Sequence, residues 1–110
     1  MTVKLFYLKT REFVIADARE VKKTAEDTEV YGYLLESPQA VSVVEEVSFK
    51  DSDAEDENEN PILNQELRIS MKTWMPLTED KEVFVYQSSV ISYVDPLENI
   101  KDMYMEKVNG

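Results

Sequence analysis

From the first residues onward, apolar and polar positions alternate in short runs that polar turns interrupt, the pattern of a pleated sheet with a buried face. Val3-Lys4-Leu5-Phe6-Tyr7-Leu8 and Glu12-Phe13-Val14-Ile15-Ala16-Asp17 are rich in β-branched and aromatic residues. They predict one strand that starts early and bends near Thr10-Arg11. Lys22 to Glu29 is polar and unpatterned, and is expected to form a hairpin loop into a second strand from Val30 to Glu36. Ser37-Pro38 ends that strand, because proline fixes φ and lacks the ladder donor. Gln39 to Phe49 alternates well enough to be a third strand, with Val41, Val43 and Val47 on one side. The pair Glu45-Glu46 breaks the alternation, as a bulge or an exposed strand end does.

Asp51 to Pro61 carries six acidic residues and no aromatic one. Nothing in it can be buried, so a flexible acidic loop is expected over 51–66. The strand pattern resumes at Leu67-Arg68-Ile69-Ser70-Met71, and Trp74-Met75-Pro76-Leu77 closes it before a turn at Thr78-Glu79-Asp80-Lys81. Val83 to Val94 reads as two strands broken by the polar turn Tyr86-Gln87-Ser88-Ser89. A helix is expected over 95–108, with Asp95 as cap, Pro96 in the first turn and Glu98 at capping-box spacing. Leu97, Ile100, Tyr104 and Val108 then fall on one face. A helix this short needs that face packed.

At 110 residues the chain is expected to fold as a single domain over 1–110 with one modest core. It has no cysteine and no histidine, which removes disulfides, thiolate and imidazole chemistry and the usual zinc ligands. An enzyme is therefore the most distant class, and no cofactor is expected. Alternate carboxylates from Asp51 to Glu59 resemble a calcium loop only in outline: the sixth position is Asp56 where glycine is needed, and the twelfth is Ile62 where a bidentate glutamate is needed. Met71, Trp74 and Met75 read as core or interface side chains. No apolar run approaches a membrane span or a signal peptide, so a soluble, cytoplasmic protein is expected.

The net charge is −11. That opposes nucleic-acid binding, which depends on cations displacing counterions from phosphate. Its distribution matters, however. Residues 1–23 hold six basic and three acidic groups, whereas residues 24–66 hold one basic and thirteen acidic.

Two segments carry a family pattern. Gly32-Tyr33-Leu34-Leu35-Glu36-Ser37-Pro38-Gln39-Ala40-Val41-Ser42-Val43-Val44 runs from a strand glycine through alternating apolar residues to a polar turn, and Val83-Phe84-Val85-Tyr86-Gln87-Ser88-Ser89-Val90-Ile91-Ser92-Tyr93-Val94 is a strand, a short turn and a strand. In this order, with a variable loop between them, they resemble the two motifs of the Sm-like family over roughly Phe13 to Val94. The acidic balance, the long loop and the C-terminal helix look most like the small Sm-like proteins of marine cyanophages. The resemblance implies a mainly β fold, a five-stranded, strongly bent Sm-like (SH3-type) barrel with a C-terminal helix. It also implies a homo-oligomeric ring closed by pairing the fourth strand of one copy, here Leu67 to Met75, with the fifth strand of the next, here within Val83 to Val94.

In that family single-stranded RNA is held at the turns after the second and fourth strands. Carried over, the turns are Ser37-Pro38-Gln39-Ala40, with Ser37 and Gln39 where the family has Asp and Asn, and Tyr86-Gln87-Ser88-Ser89, with Tyr86-Gln87 where it has Arg-Gly. Tyrosine can stack on a base and glutamine can bond a base edge. Lys9 and Arg11, followed by Arg19, Lys22 and Lys23, are the candidate phosphate contacts. The competing expectation is a virus-encoded structural or adaptor ring that captures a basic protein through its acidic loop or its helix.

Overall fold

The structure is a computed structural model that describes residues 2–26, 28–49 and 63–109, with backbone alone for 44–49 and 63–67. It contains β1 (Val3–Leu8), β2 (Phe13–Val21), β3 (Gly32–Phe49), β4 (Leu63–Thr73), β5 (Glu82–Tyr86), a 3-10 turn (Gln87–Ser89), β6 (Val90–Val94) and α1 (Glu98–Asn109). The six strands form one antiparallel sheet in the order β4-β3-β2-β1-β6, and β5 also pairs with β3. No helix among the described residues is long and apolar enough to cross a membrane.

Three local expectations change. The bend at Thr10-Arg11 is a full reversal, and β1 and β2 pair from Val3↔Asp17 to Tyr7↔Phe13. Arg11 takes a left-handed conformation (φ 72) there, and its N–H donates to the Leu8 carbonyl at 2.9 Å. Ser37-Pro38 is not a turn: β3 runs through it for 18 residues. Between the pairs Ile15↔Gln39 and Asp17↔Glu36 the β3 side carries one extra residue, a bulge that Ser37 accommodates at φ 49. Pro38 needs no donor at this point, because here the far edge of β3 passes from β5 to β4. The Ser37 N–H donates to the Lys81 carbonyl at 2.6 Å, and the Trp74 N–H to the Pro38 carbonyl at 3.0 Å. Lastly, β4 begins at Leu63, so residues 63–66, expected in the acidic loop, are strand. The rest of that loop, with its calcium-like spacing, lies outside the described residues.

Both faces of the sheet are buried. On one, Phe6, Leu8, Val14, Ala16, Ala18, Tyr33, Leu35 and Val85 pack together. These residues come from β1, β2, β3 and β5, and Val90 of β6 joins them, so the cluster is the concave side of a curled sheet. Chain reach demands the curl. Across a flat sheet β5 and β6 would stand four ladder spacings apart, about 19 Å. They are joined only by Gln87–Ser89, and a 3-10 turn rises about 2 Å per residue. Among the described residues no ladder joins β5 to β6, so the sheet is curled but not closed.

The convex side is covered by α1. Ile100 and Tyr104 are buried against Val3, Ile15 and Met71, with Leu5, Val41, Ile69, Met105 and Val108 around them. Leu97, expected on this face, is 73% exposed, and its carbonyl instead accepts the Lys101 N–H that starts the helix at 2.9 Å. Nor is Asp95 free to cap, since its carboxylate takes the Lys4 ammonium at 2.6 Å. The Tyr104 hydroxyl repairs the bulge: it accepts the Asp17 N–H at 3.1 Å and donates to the Glu36 carbonyl at 2.8 Å. It thus links two backbone groups that the extra residue has pushed apart.

Past Phe13↔Val41, β2 leaves β3, while the β3–β4 ladder continues to Phe49↔Leu63. A two-stranded ribbon of eight pairs therefore projects about 26 Å at the usual strand rise. The acidic residues 50–62 connect its two strands in sequence.

Candidate functional site

The loop between β2 and β3 and the 3-10 turn between β5 and β6 meet at one end of β5. The Tyr31 N–H donates to the Val21 carbonyl at 2.7 Å, and the Gln87 N–H to the Tyr31 carbonyl at 3.0 Å. Between the two lies an open cleft of about 640 Å³, lined by Lys23, Glu29, Tyr31, Tyr86 and Gln87 among others.

Its aromatic wall is a triangle. Tyr31 and Phe84 are 5.7 Å apart between ring centroids, Tyr31 and Tyr86 are 5.6 Å apart at 90°, and Phe84 and Tyr86 are 5.0 Å apart at 84°. Edge-to-face packing of this kind holds each ring in a fixed orientation. Tyr86 remains 54% exposed and presents the most accessible ring of the three. Gly32 is what lets the wall form. A Cβ there would lie 2.5 Å from the Phe84 Cζ and 2.5 Å from the Val85 carbonyl oxygen, so the Phe84 ring rests directly on the glycine backbone. The Lys23 ammonium stands 5.0 Å from the centre of the Tyr31 ring, a cation-π distance.

In the concave cluster Tyr33 is buried against Phe6 at 5.2 Å and Tyr93 at 5.1 Å, and it lines a separate pocket with Phe6, Arg19 and Tyr93. Burial, with Tyr93 and Glu20 adding to it, pushes its hydroxyl up to about 12, while Gln87 acts in the opposite direction. The phenol is neutral at ordinary pH.

The structure divides the residues expected to bind RNA. Tyr86, Gln87 and Lys23 are brought together in the cleft, and Lys9 is adjacent, its N–H donating to the Ser89 carbonyl at 2.9 Å. Ser37 and Gln39 are elsewhere. Because Glu36 pairs with Glu82 and Gly32 with Tyr86, the whole of β5, about 13 Å at the usual rise, separates them from the cleft. Gln39 is buried, donating weakly to the Ser37 carbonyl at 3.4 Å, and its Oε1 has no partner. Arg11 lies in a different groove, beside Phe13 and Val43, and Arg19 pairs loosely with Glu82 at 3.5 Å, both largely exposed. Of the expected core or interface trio, Met71 is buried, Trp74 packs at the edge of the concave cluster, and Met75 is exposed.

Four residues that line the cleft, Thr28, Glu29, Val30 and Tyr31, are not among the sequence-predicted site residues, nor is Phe84, whose ring packs against Tyr31 and Tyr86. A signal was present in Tyr31-Gly32 and Phe84-Val85-Tyr86, aromatics around a glycine at strand parity. It is obscured because Val3 to Asp17 reads as one bent strand, which puts the turn after the second strand at Ser37-Pro38-Gln39-Ala40 and not at the loop between β2 and β3. In this cleft planar groups can stack on tyrosine faces and polar ring edges can meet an amide, an ammonium and a carboxylate.

The free borders of the sheet are the other feature of note. Among the described residues, β5 pairs only with β3 and β6 only with β1, and Ile91 and Val94 on β6 are half exposed. No protein-family model and no curated protein sequence matches the chain.

Proposed function

We propose that this chain is a subunit of an Sm-like ring that binds single-stranded RNA in the cleft between residues 22–31 and the 3-10 turn. One observation carries the reading: the turn after the second strand and the turn before the last strand open into a single aromatic-walled cleft. The Sm-like resemblance carries RNA to Ser37-Pro38-Gln39-Ala40 and Tyr86-Gln87-Ser88-Ser89; with Val3–Leu8 and Phe13–Val21 as separate strands and β4 taken as an addition, the loop of residues 22–31 stands in the first of those positions in place of Ser37-Pro38-Gln39-Ala40. The strand path β6-β1-β2-β3-β5 supports the bent-barrel part of the reading, with β4 an addition that extends β3. Exposed apolar side chains on the unpaired borders of β5 and β6 support ring closure, since such edges attract a further strand.

For a chain of net charge −11, binding rests on stacking, worth about 1–3 kcal/mol per base, more than on phosphate neutralisation. Titration of labelled oligo-uridine and oligo-adenosine across a salt series is therefore expected to show weak salt dependence, and Tyr86→Ala is expected to weaken binding about tenfold. Absence of binding at low salt removes the RNA function.

A second reading is an adaptor ring for a basic protein partner. It is favoured by the acidic segment joining the two strands of a projecting ribbon. Deleting Asp51 to Asn60 abolishes capture of such a partner if this reading holds, and retained capture rules that segment out.

A further inference from the structure

Glu29 lines the cleft beside Tyr31, Tyr86 and Gln87, and its carboxylate is exposed with no hydrogen bond or ion pair among the described residues. A free carboxylate is a poor neighbour for phosphate. Toward a base edge, its two oxygens accept only, so it discriminates by the pattern of donors it meets. Uracil presents one N–H between two carbonyl oxygens, so one contact is won and two are repulsive. Adenine and cytosine each offer an amino group beside a ring nitrogen acceptor. Guanine alone presents two adjacent donors, N1–H and the N2 amino group, in the spacing that a carboxylate accepts bidentately. Its remaining O6 is an acceptor, which an amide N–H of Gln87 or the ammonium of Lys23 can satisfy.

We infer that Glu29 makes this cleft selective for guanine: the base stacks on Tyr86 while the Glu29 carboxylate accepts from its N1–H and N2 amino group. The inference rests on the proposal that the cleft binds single-stranded RNA, and it names the base. Bonds to a charged acceptor are the stronger class. The selectivity over uracil is therefore expected to be at least about tenfold.

The test uses the full chain and short labelled oligo-uridine strands that carry one guanosine, one inosine, one adenosine or no substitution, titrated by fluorescence anisotropy. Guanosine is expected to bind tightest, and inosine, which lacks the N2 amino group, to lose much of the gain. Glu29→Gln replaces one acceptor oxygen by a donor and removes the charge, and is expected to erase the guanosine preference, read as the ratio of guanosine-strand to uridine-strand affinity within the same protein. Because this side chain makes no hydrogen bond or ion pair among the described residues, an unchanged melting temperature is expected to accompany the loss. Equal affinity for guanosine and uridine strands, or a preference that survives Glu29→Gln, overturns the inference and leaves RNA binding standing. Failure of every strand to bind overturns both.

Discussion

The hydroxyl of Tyr104 reaches across from α1 to mend a break in a ladder to which the helix does not belong. Tyr104→Phe keeps the ring in its place against Ile15 and Met71 but strands the Asp17 N–H and the Glu36 carbonyl, and the cost of such groups is about 1–3 kcal/mol. Urea denaturation is expected to show a lower midpoint with an unchanged slope. Tyr33 makes a different prediction. Its hydroxyl is raised from the ordinary 10.0 to about 12, so in that interval the folded protein keeps a proton that the unfolded chain releases. Stability is complete below the unfolded value and falls as pH rises through the folded one. Melting temperatures from pH 9 upward, beginning about one unit below the ordinary tyrosine value, are expected to decline more steeply for the native chain than for Tyr33→Phe.

At the scale of elements, α1 is held by its apolar face more than by charge. Lys4–Asp95 is short but exposed at the carboxylate, and such pairs contribute little. Ile100, by contrast, is buried under the sheet, and Ile100→Ala is expected to cost about 2–5 kcal/mol by chemical denaturation, with Lys4→Ala close to neutral in the same assay. The ribbon formed by the outer halves of β3 and β4 is the opposite case. Among the described residues it has no third strand beside it, and an isolated pair of strands is marginal in water, so amide exchange is expected to be faster beyond Val43 than in the paired half of β3.

For the molecule as a whole, the curl of the sheet brings a loop and a turn together and, among the described residues, leaves the outer borders of β4, β5 and β6 unpaired. Light scattering on a sizing column is expected to give several copies per particle, and Ile91→Glu, placed on the exposed border of β6, to give a single copy with unchanged melting. A monomeric native chain contradicts the ring.

Alternation and turn residues alone locate nearly every strand and the terminal helix, because those signals are local: period two for a strand, period 3.6 for a helix. They also locate the turn between the last two strands, although Tyr86, expected in it, is the final residue of β5 and the turn is Gln87–Ser89. What they cannot supply is pairing. Whether Thr10-Arg11 bends or reverses depends on which edge accepts β2, and whether Pro38 ends β3 or sits within it depends on a partner exchange between β5 and β4 that involves residues some forty positions away. The same holds for the cleft. Glu29 and Tyr31 on one loop and Tyr86 at the end of β5 are ordinary residues until Gly32 lets the Phe84 ring lie on its backbone, and a three-residue link draws β5 and β6 together. Local side-chain chemistry determined the elements, and the short covalent link between β5 and β6, acting on the whole sheet, decided which of them share a site.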